Sequence, residues 1–358
     1  MSESLRPRLT GAGGSDAAIA ASRTRSRARW VRGAILAASL VGLSIAVWAV
    51  ARSDLTAIAT TARRIGITGF LIYCSYSLGV FGLLGGAWLV VSGTALRRIG
   101  VFIGGRMLRE AASDLLPFSQ IGGILISVRL LISHGVTGGL VGASLIADLT
   151  TEMASQLVFT VVAAVLAAAF LIDRDRADAF GVVLVASMAT MAIIIVIAAS
   201  APRWLPRVGQ AIAQRFLPQA VVVVDQLAFH LDAIYARRAG LLASFLINLA
   251  AWIASAAGAW VALRLMQVEL PIASILALEA LVFASRSAAF MIPGGLGVQE
   301  ATYALAAPLF GLPVESVLAL ALVKRMRDLA IGIPTLLVWQ GIEARAVHRE
   351  SRPLVRHV

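Results

Sequence analysis

The chain is 358 residues long, 59% hydrophobic, only 14% charged, and has a mean hydropathy of +0.88. A soluble core of this size does not need so much apolar sequence, so a soluble globular fold is excluded and a polytopic helical membrane protein is expected. The net charge of +12 gathers near both ends and beside apolar runs, and Cys74 is the single cysteine; this points to anionic headgroups rather than nucleic acid and excludes an intramolecular disulfide or a cysteine-based zinc site.

Residues 1–29 mix Gly, Ser and Ala with Arg6, Arg8, Arg23, Arg25, Arg27 and Arg29. They read as a disordered basic tail on the cytoplasmic side. A first span is expected over residues 30–50, long enough as a helix to cross a ~30 Å hydrocarbon core. Its apolar run is longer than a signal-peptide core, so it is read as uncleaved. A second span covers residues 68–91, and Arg97, Arg98, Arg106 and Arg109 behind it fit a return to the cytoplasm. Residues 108–134 are moderately apolar but are punctuated by Glu110, Asp114, Pro117, Gln120, Gly122, Gly123 and Arg129. A re-entrant helical hairpin fits that pattern better than an ordinary span.

A strong helix follows over residues 140–172, with Asp148 and Glu152 four apart and therefore on one face. Another span is expected at 180–200. Residues 202–238 turn amphipathic and basic, which predicts interfacial helices on the cytoplasmic surface. Further spans are expected at 241–263 and 314–342, and a basic tail closes the chain over residues 343–358. Between those spans, residues 270–284 lead into the most unusual stretch, SRSAAFMIPGGLGVQEATYALAAPLFGLPVESVLALALVKRMRD from Ser285. It is apolar enough for a bilayer, yet it holds Arg286, Pro293, Gly294, Gly295, Gly297, Glu300, Lys324, Arg325, Arg327 and Asp328. Hydrocarbon offers the backbone no water, so a Pro-Gly-Gly break survives only inside protein or beside a wet cavity, and charges at that depth are costly and usually functional.

Sliding the chain against itself by about 176 positions places Pro117 on Pro293, Gly135 on Gly311, and Asp148 and Glu152 on Lys324 and Asp328. The fold class expected is thus all-α polytopic, with weak repeats over residues 68–172 and 241–342. With both broken regions re-entrant there are six spans, both termini are cytoplasmic, and the repeats are inverted; with both fully spanning there are eight.

No enzyme motif is present, the four histidines are scattered, and neither a cofactor nor a metal site is expected. The glycines after Pro293 permit a helix break and close approach of backbone or lipid. Glu300 either takes a proton or pairs with Arg286. Lys324 and Asp328 share a face and neutralise each other, leaving Arg325 and Arg327 to hold an anionic headgroup or to pair with Asp148 and Glu152 of the other half. Trp252, Trp260 and Trp339 are read as an interfacial belt.

The segments RSAAFMIPGGLGVQEATYALAAPLFGLP and LALALVKRMRDLAIGIPTLLVWQ resemble the flippase-like membrane proteins related to the transmembrane region of lysylphosphatidylglycerol synthase. The P-G-G-x-G-x-x-E pattern at Pro293, Gly294, Gly295, Gly297 and Glu300 carries the broad resemblance. The run from Lys324 to Asp328 is most similar to the HpnL branch associated with hopanoid biosynthesis. The resemblance implies translocation of a lipid, a hopanoid or an anionic phospholipid, between leaflets of a bacterial inner membrane, without the synthase's soluble catalytic domain. A non-transporting scaffold for lipid-biosynthesis enzymes is the alternative.

Overall fold

The computed structural model describes residues 55–115, 119–168, 221–288 and 297–350, together with scattered positions of 185–207. The expected first span at 30–50, the span at 180–200 for the most part, and Pro117, Pro293, Gly294 and Gly295 lie outside the described residues. Every described element is helical, and the protein is an all-α polytopic membrane protein. Its elements are α1 (Leu55–Arg63), α2 (Gly66–Ser92), α3 (Ile99–Leu115), α4 (Ser119–Ser133), α5 (Gly138–Ala168), α6 (Val221–Ala236), α7 (Arg238–Leu265), α8 (Ile272–Ala288), α9 (Val298–Ala306) and α10 (Val314–Glu350). Helices α2, α5 and α7 are long and apolar enough to cross a bilayer. Large apolar side chains such as Ile67, Leu71, Leu242 and Leu246 stand exposed on α2 and α7, as lipid-facing residues do.

α2 and α7 form the antiparallel spine. Gly69 lies against Leu265, Gly258 against Tyr76, and Gly93 against Arg237, so the index on one helix rises as the other falls. Tyr76 donates to the carbonyl of Ala254 at 2.7 Å. A Cβ on Gly258 would stand 2.8 Å from the Tyr76 ring, so the small residue sets how closely the helices approach.

Each spine helix feeds a helical hairpin. α3 and α4 run antiparallel: Gly104 meets Leu130, Gly105 meets Leu131, and Gly123 meets the Arg109 carbonyl. Arg98 donates to the His134 carbonyl at 3.2 Å, so this hairpin opens and closes at the Gly93 end of the bundle. α8 and α9 make the second hairpin. Leu270, Leu309, Phe310 and Leu312 share one core with Met266, so it opens and closes at the opposite, Met266 end. The hairpins therefore enter from opposite ends. The inner ends of α3 and α8 meet, because Arg286 holds Asp114 at 2.9 Å.

A long helix follows each hairpin, α5 after the first and α10 after the second, each preceded by a glycine in left-handed conformation (Gly135, φ 78°; Gly311, φ 64°). Each hairpin packs on the long helix of the other half, α3 on α10 and α8 on α5. Gly332 of α10 sits against Leu115 and Ala111, and Gln156 of α5 donates to Ser287 Oγ at 2.8 Å. The part of the expected amphipathic segment that is described, α6, lies along α5, burying Leu231 and Ile234 and leaving Phe229 70% exposed. Trp252 is not at a span end as expected. It stands mid-way along α7 with its ring 4.8 Å from that of Phe283, because the α7–α8 contact there needs a large apolar filler.

Candidate functional site: a line of charge between two hairpins

Three groups of charged side chains run through the interior. The first joins α3 to α5. Arg106 Nη1 donates to Glu152 at 2.7 Å, and Arg109 Nη2 donates to the same carboxylate at 2.6 Å. Asp148 lies 3.5 Å from Arg106 and 3.4 Å from Arg109, and Glu110 lies 3.0 Å from Arg106. Arg106, Asp148 and Glu152 are 2%, 0% and 5% exposed, so the heart of this cluster is dry, with Glu110 33% exposed at its edge. Burial at this depth requires such neutralisation, because an isolated ion in low dielectric is heavily penalised.

The second group joins α8, α9 and α10. Glu279 accepts from Lys324 Nζ at 2.7 Å and from the Tyr303 hydroxyl, and Lys324 also donates to Tyr303 at 2.9 Å, closing a ring of three. Glu279 and Tyr303 are fully buried and Lys324 nearly so. The ammonium faces the Phe283 and Tyr303 rings at 5.8 and 5.5 Å, which adds cation–π stabilisation.

Between these clusters lies a third group that is partly open. It contains the Arg286–Asp114 pair, Glu300 with Arg325 at 3.1 Å, and Arg327 with its neighbour Asp328. The side chains of Arg286, Arg325, Arg327 and Glu300 are 31%, 21%, 19% and 20% exposed, against 0–8% for Arg106, Arg109, Asp148, Glu152, Glu279 and Lys324. Arg327 also lies over the Tyr73 ring of α2 at 5.7 Å. Gly297, with φ 79°, caps the start of α9 and aims Glu300 from the first turn of that helix. Glycine is what this left-handed position requires.

The expected site residues Arg286, Glu300, Lys324, Arg325, Arg327 and Asp328 fall in these groups, with pairings different from those expected. Lys324 does not neutralise Asp328. It turns across a helix interface to Glu279, while Asp328 takes Arg327. Glu300 pairs with Arg325 and not with Arg286, which reaches the opposite hairpin. Asp148 and Glu152 are held by Arg106 and Arg109, so they are not partners of Arg325 and Arg327. The latter two residues are therefore not leftover cations.

Arg106 and Arg109 were expected on the cytoplasmic side and are instead buried, because they occupy the inward stripe of α3 with Phe102, Gly105, Ala112 and Ser113. Phase on that helix was the signal that would have found them. Glu279 went unnoticed too, although it is a lone acid inside the apolar helix Ile272–Ala288. Tyr303 carries no sequence signal of its own.

Apolar helices around two opposed hairpins with paired interior charges define a multi-pass helical membrane protein. The family described as lysylphosphatidylglycerol synthase TM region matches residues 35–334, and the chain belongs to it. Neither the curated proteins nor the solved structures gave a match.

Proposed function

We propose that this protein moves a lipid between the leaflets of a bacterial inner membrane, with both termini on the cytoplasmic side and without chemistry on the lipid. The observation that carries this reading is the partly open group of charges held between two buried, clamped clusters. Arg106 lies seven residues into α3 from the Gly93 end and Glu279 seven into α8 from the Met266 end, so each dry cluster sits about 10 Å inside its hairpin's mouth at 1.5 Å rise per residue. The partly open group connects them where the inner ends of α3 and α8 meet. A headgroup crossing the bilayer needs such polar contacts at mid-depth, and opposed broken helices meeting near the midplane are how many transporters supply them. The lipid tails would stay in the bilayer beside the bundle.

The resemblance of the Lys324–Asp328 run to the hopanoid-associated branch makes a hopanoid one candidate cargo, and a phospholipid is the other. Reconstitution into vesicles with acyl-labelled phospholipids and a labelled hopanoid tests the proposal. Leaflet exchange faster than in protein-free vesicles is the expected result. Exchange equal to the protein-free rate for every lipid overturns it, and the scaffold reading then predicts recovery of lipid-biosynthesis enzymes on cross-linking.

A further inference from the structure

Resting on that reading, the pairing of the central charges narrows the class of headgroup. Among the described residues, each arginine of the partly open group has a carboxylate within 3.1 Å or closer: Arg286 has Asp114, Arg325 has Glu300, and Arg327 has Asp328. The nearby Glu110 is turned to Arg106. An anionic headgroup arriving here finds no arginine to itself. To take one it must displace a carboxylate and leave that group without a counter-charge, and such a stranded charge is far costlier than an intact pair. A purely cationic headgroup meets the reverse difficulty, because taking Asp114 strands Arg286.

One headgroup class avoids both. A phosphate and an ammonium on one molecule can exchange with a protein ion pair, the phosphate accepting from the guanidinium and the ammonium donating to the carboxylate, with no charge left over. We infer that the central site takes a zwitterionic phosphate–ammonium headgroup, and that Arg286 and Asp114 are the pair it opens. This pair is singled out by position and by exposure. It joins the inner ends of α3 and α8, its arginine is the most exposed of the group at 31%, and it is held by one hydrogen bond of 2.9 Å. Exchange there satisfies the ligand and separates α3 from α8 in the same step, which is where a path from one end to the other must open. The flanking clusters at Arg106 and Glu279 are shut by several contacts each and stay closed.

Purified full-length protein is reconstituted in one host lipid with acyl-labelled phosphatidylethanolamine or acyl-labelled phosphatidylglycerol as the probe. The zwitterionic label exchanges faster by about tenfold or more, the scale of one uncompensated, partly solvated charge. In Asp114→Asn the order reverses, because Arg286 loses the carboxylate it is hydrogen-bonded to and accepts an anion without breaking an ion pair. In Asp114→Glu the wild-type order is kept, and this variant also controls for folding. Independently of any variant, soluble glycerophosphoethanolamine slows exchange by the wild type more than glycerophosphoglycerol at equal concentration. Equal exchange of the two labels, faster exchange of the anionic one, or an unchanged order in Asp114→Asn overturns the inference and leaves the transport reading standing. No exchange of either label or of the hopanoid overturns the transport reading instead.

Discussion

The dry clusters of the two halves occupy the same register with opposite signs. Arg106 is seven residues into α3 and Glu279 seven into α8, while Asp148 is ten into α5 and Lys324 ten into α10. In the first half the hairpin carries the cation and the long helix the anion; in the second half the assignment is exchanged. The two halves therefore share a neutralised pair between hairpin and long helix, whichever side supplies the positive group. That is the behaviour of a structural clamp, since a ligand site would depend on sign. The central group differs from both in being partly open and in joining the halves to each other.

Removing one partner of a clamp should destabilise the fold more, the more buried charge it leaves short of a partner. Glu152 accepts from both Arg106 and Arg109, so Glu152→Ala takes the shortest ion-pair contact from two buried guanidinium groups, leaves them the longer contacts to Asp148, and should cost about 3 kcal/mol or more. Thermal unfolding of the detergent-solubilised protein measures it, and an unchanged midpoint would show that the cluster does not hold the first half together. In the second half, Glu279→Leu or Lys324→Leu alone should cost about 3 kcal/mol, and the double variant should recover to within about 1 kcal/mol of the wild type, because removing both charges removes the desolvation penalty as well. A double variant no better than the singles would mean that the ring with Tyr303 does more than neutralise.

Packing within the hairpins sharpens the same comparison. A Cβ at Gly123 would lie 2.5 Å from the Arg109 carbonyl oxygen, a backbone atom beside the first cluster. Gly123→Ala should therefore push α4 away from α3 at about 1–3 kcal/mol, readable as a lower unfolding midpoint. The smallest effect is expected outside the dry clusters. Arg129 is 65% exposed where it pairs with Glu343 at the Gly93 end, so Arg129→Ala should change stability by less than about 1 kcal/mol. A larger loss there would make the α4–α10 contact, and not the buried clusters, the main tie between the halves.

Much of this was legible in the sequence where a single physical rule decides the outcome. Length and apolarity alone located α2, expected at 68–91 and found at Gly66–Ser92, and α7, expected at 241–263 and found at Arg238–Leu265. Proline and glycine between shorter apolar runs announced the broken region that became α3 and α4. What the sequence hid was pairing. Arg106 and Arg109 follow a span, where a basic residue usually marks the cytoplasmic flank, and only the inward phase of α3 separates them from such a flank. Lys324 and Asp328 are four apart and look like partners along one helix, yet Glu279, 45 positions from Lys324, lies across the interface and wins the contact. Such choices depend on which helices meet, which local spacing does not specify.

The central claim is that the charges where the inner ends of α3 and α8 meet face an accessible space while Glu279 and its partners are sealed. In a Cys74→Ala background, Arg286→Cys and Glu279→Cys can each be treated with a charged, membrane-impermeant thiol reagent, with denatured protein as the control for full reaction. The account predicts that the cysteine at position 286 is modified in the folded protein and that the one at 279 reacts only after denaturation. Equal protection of both positions in the folded protein would contradict it.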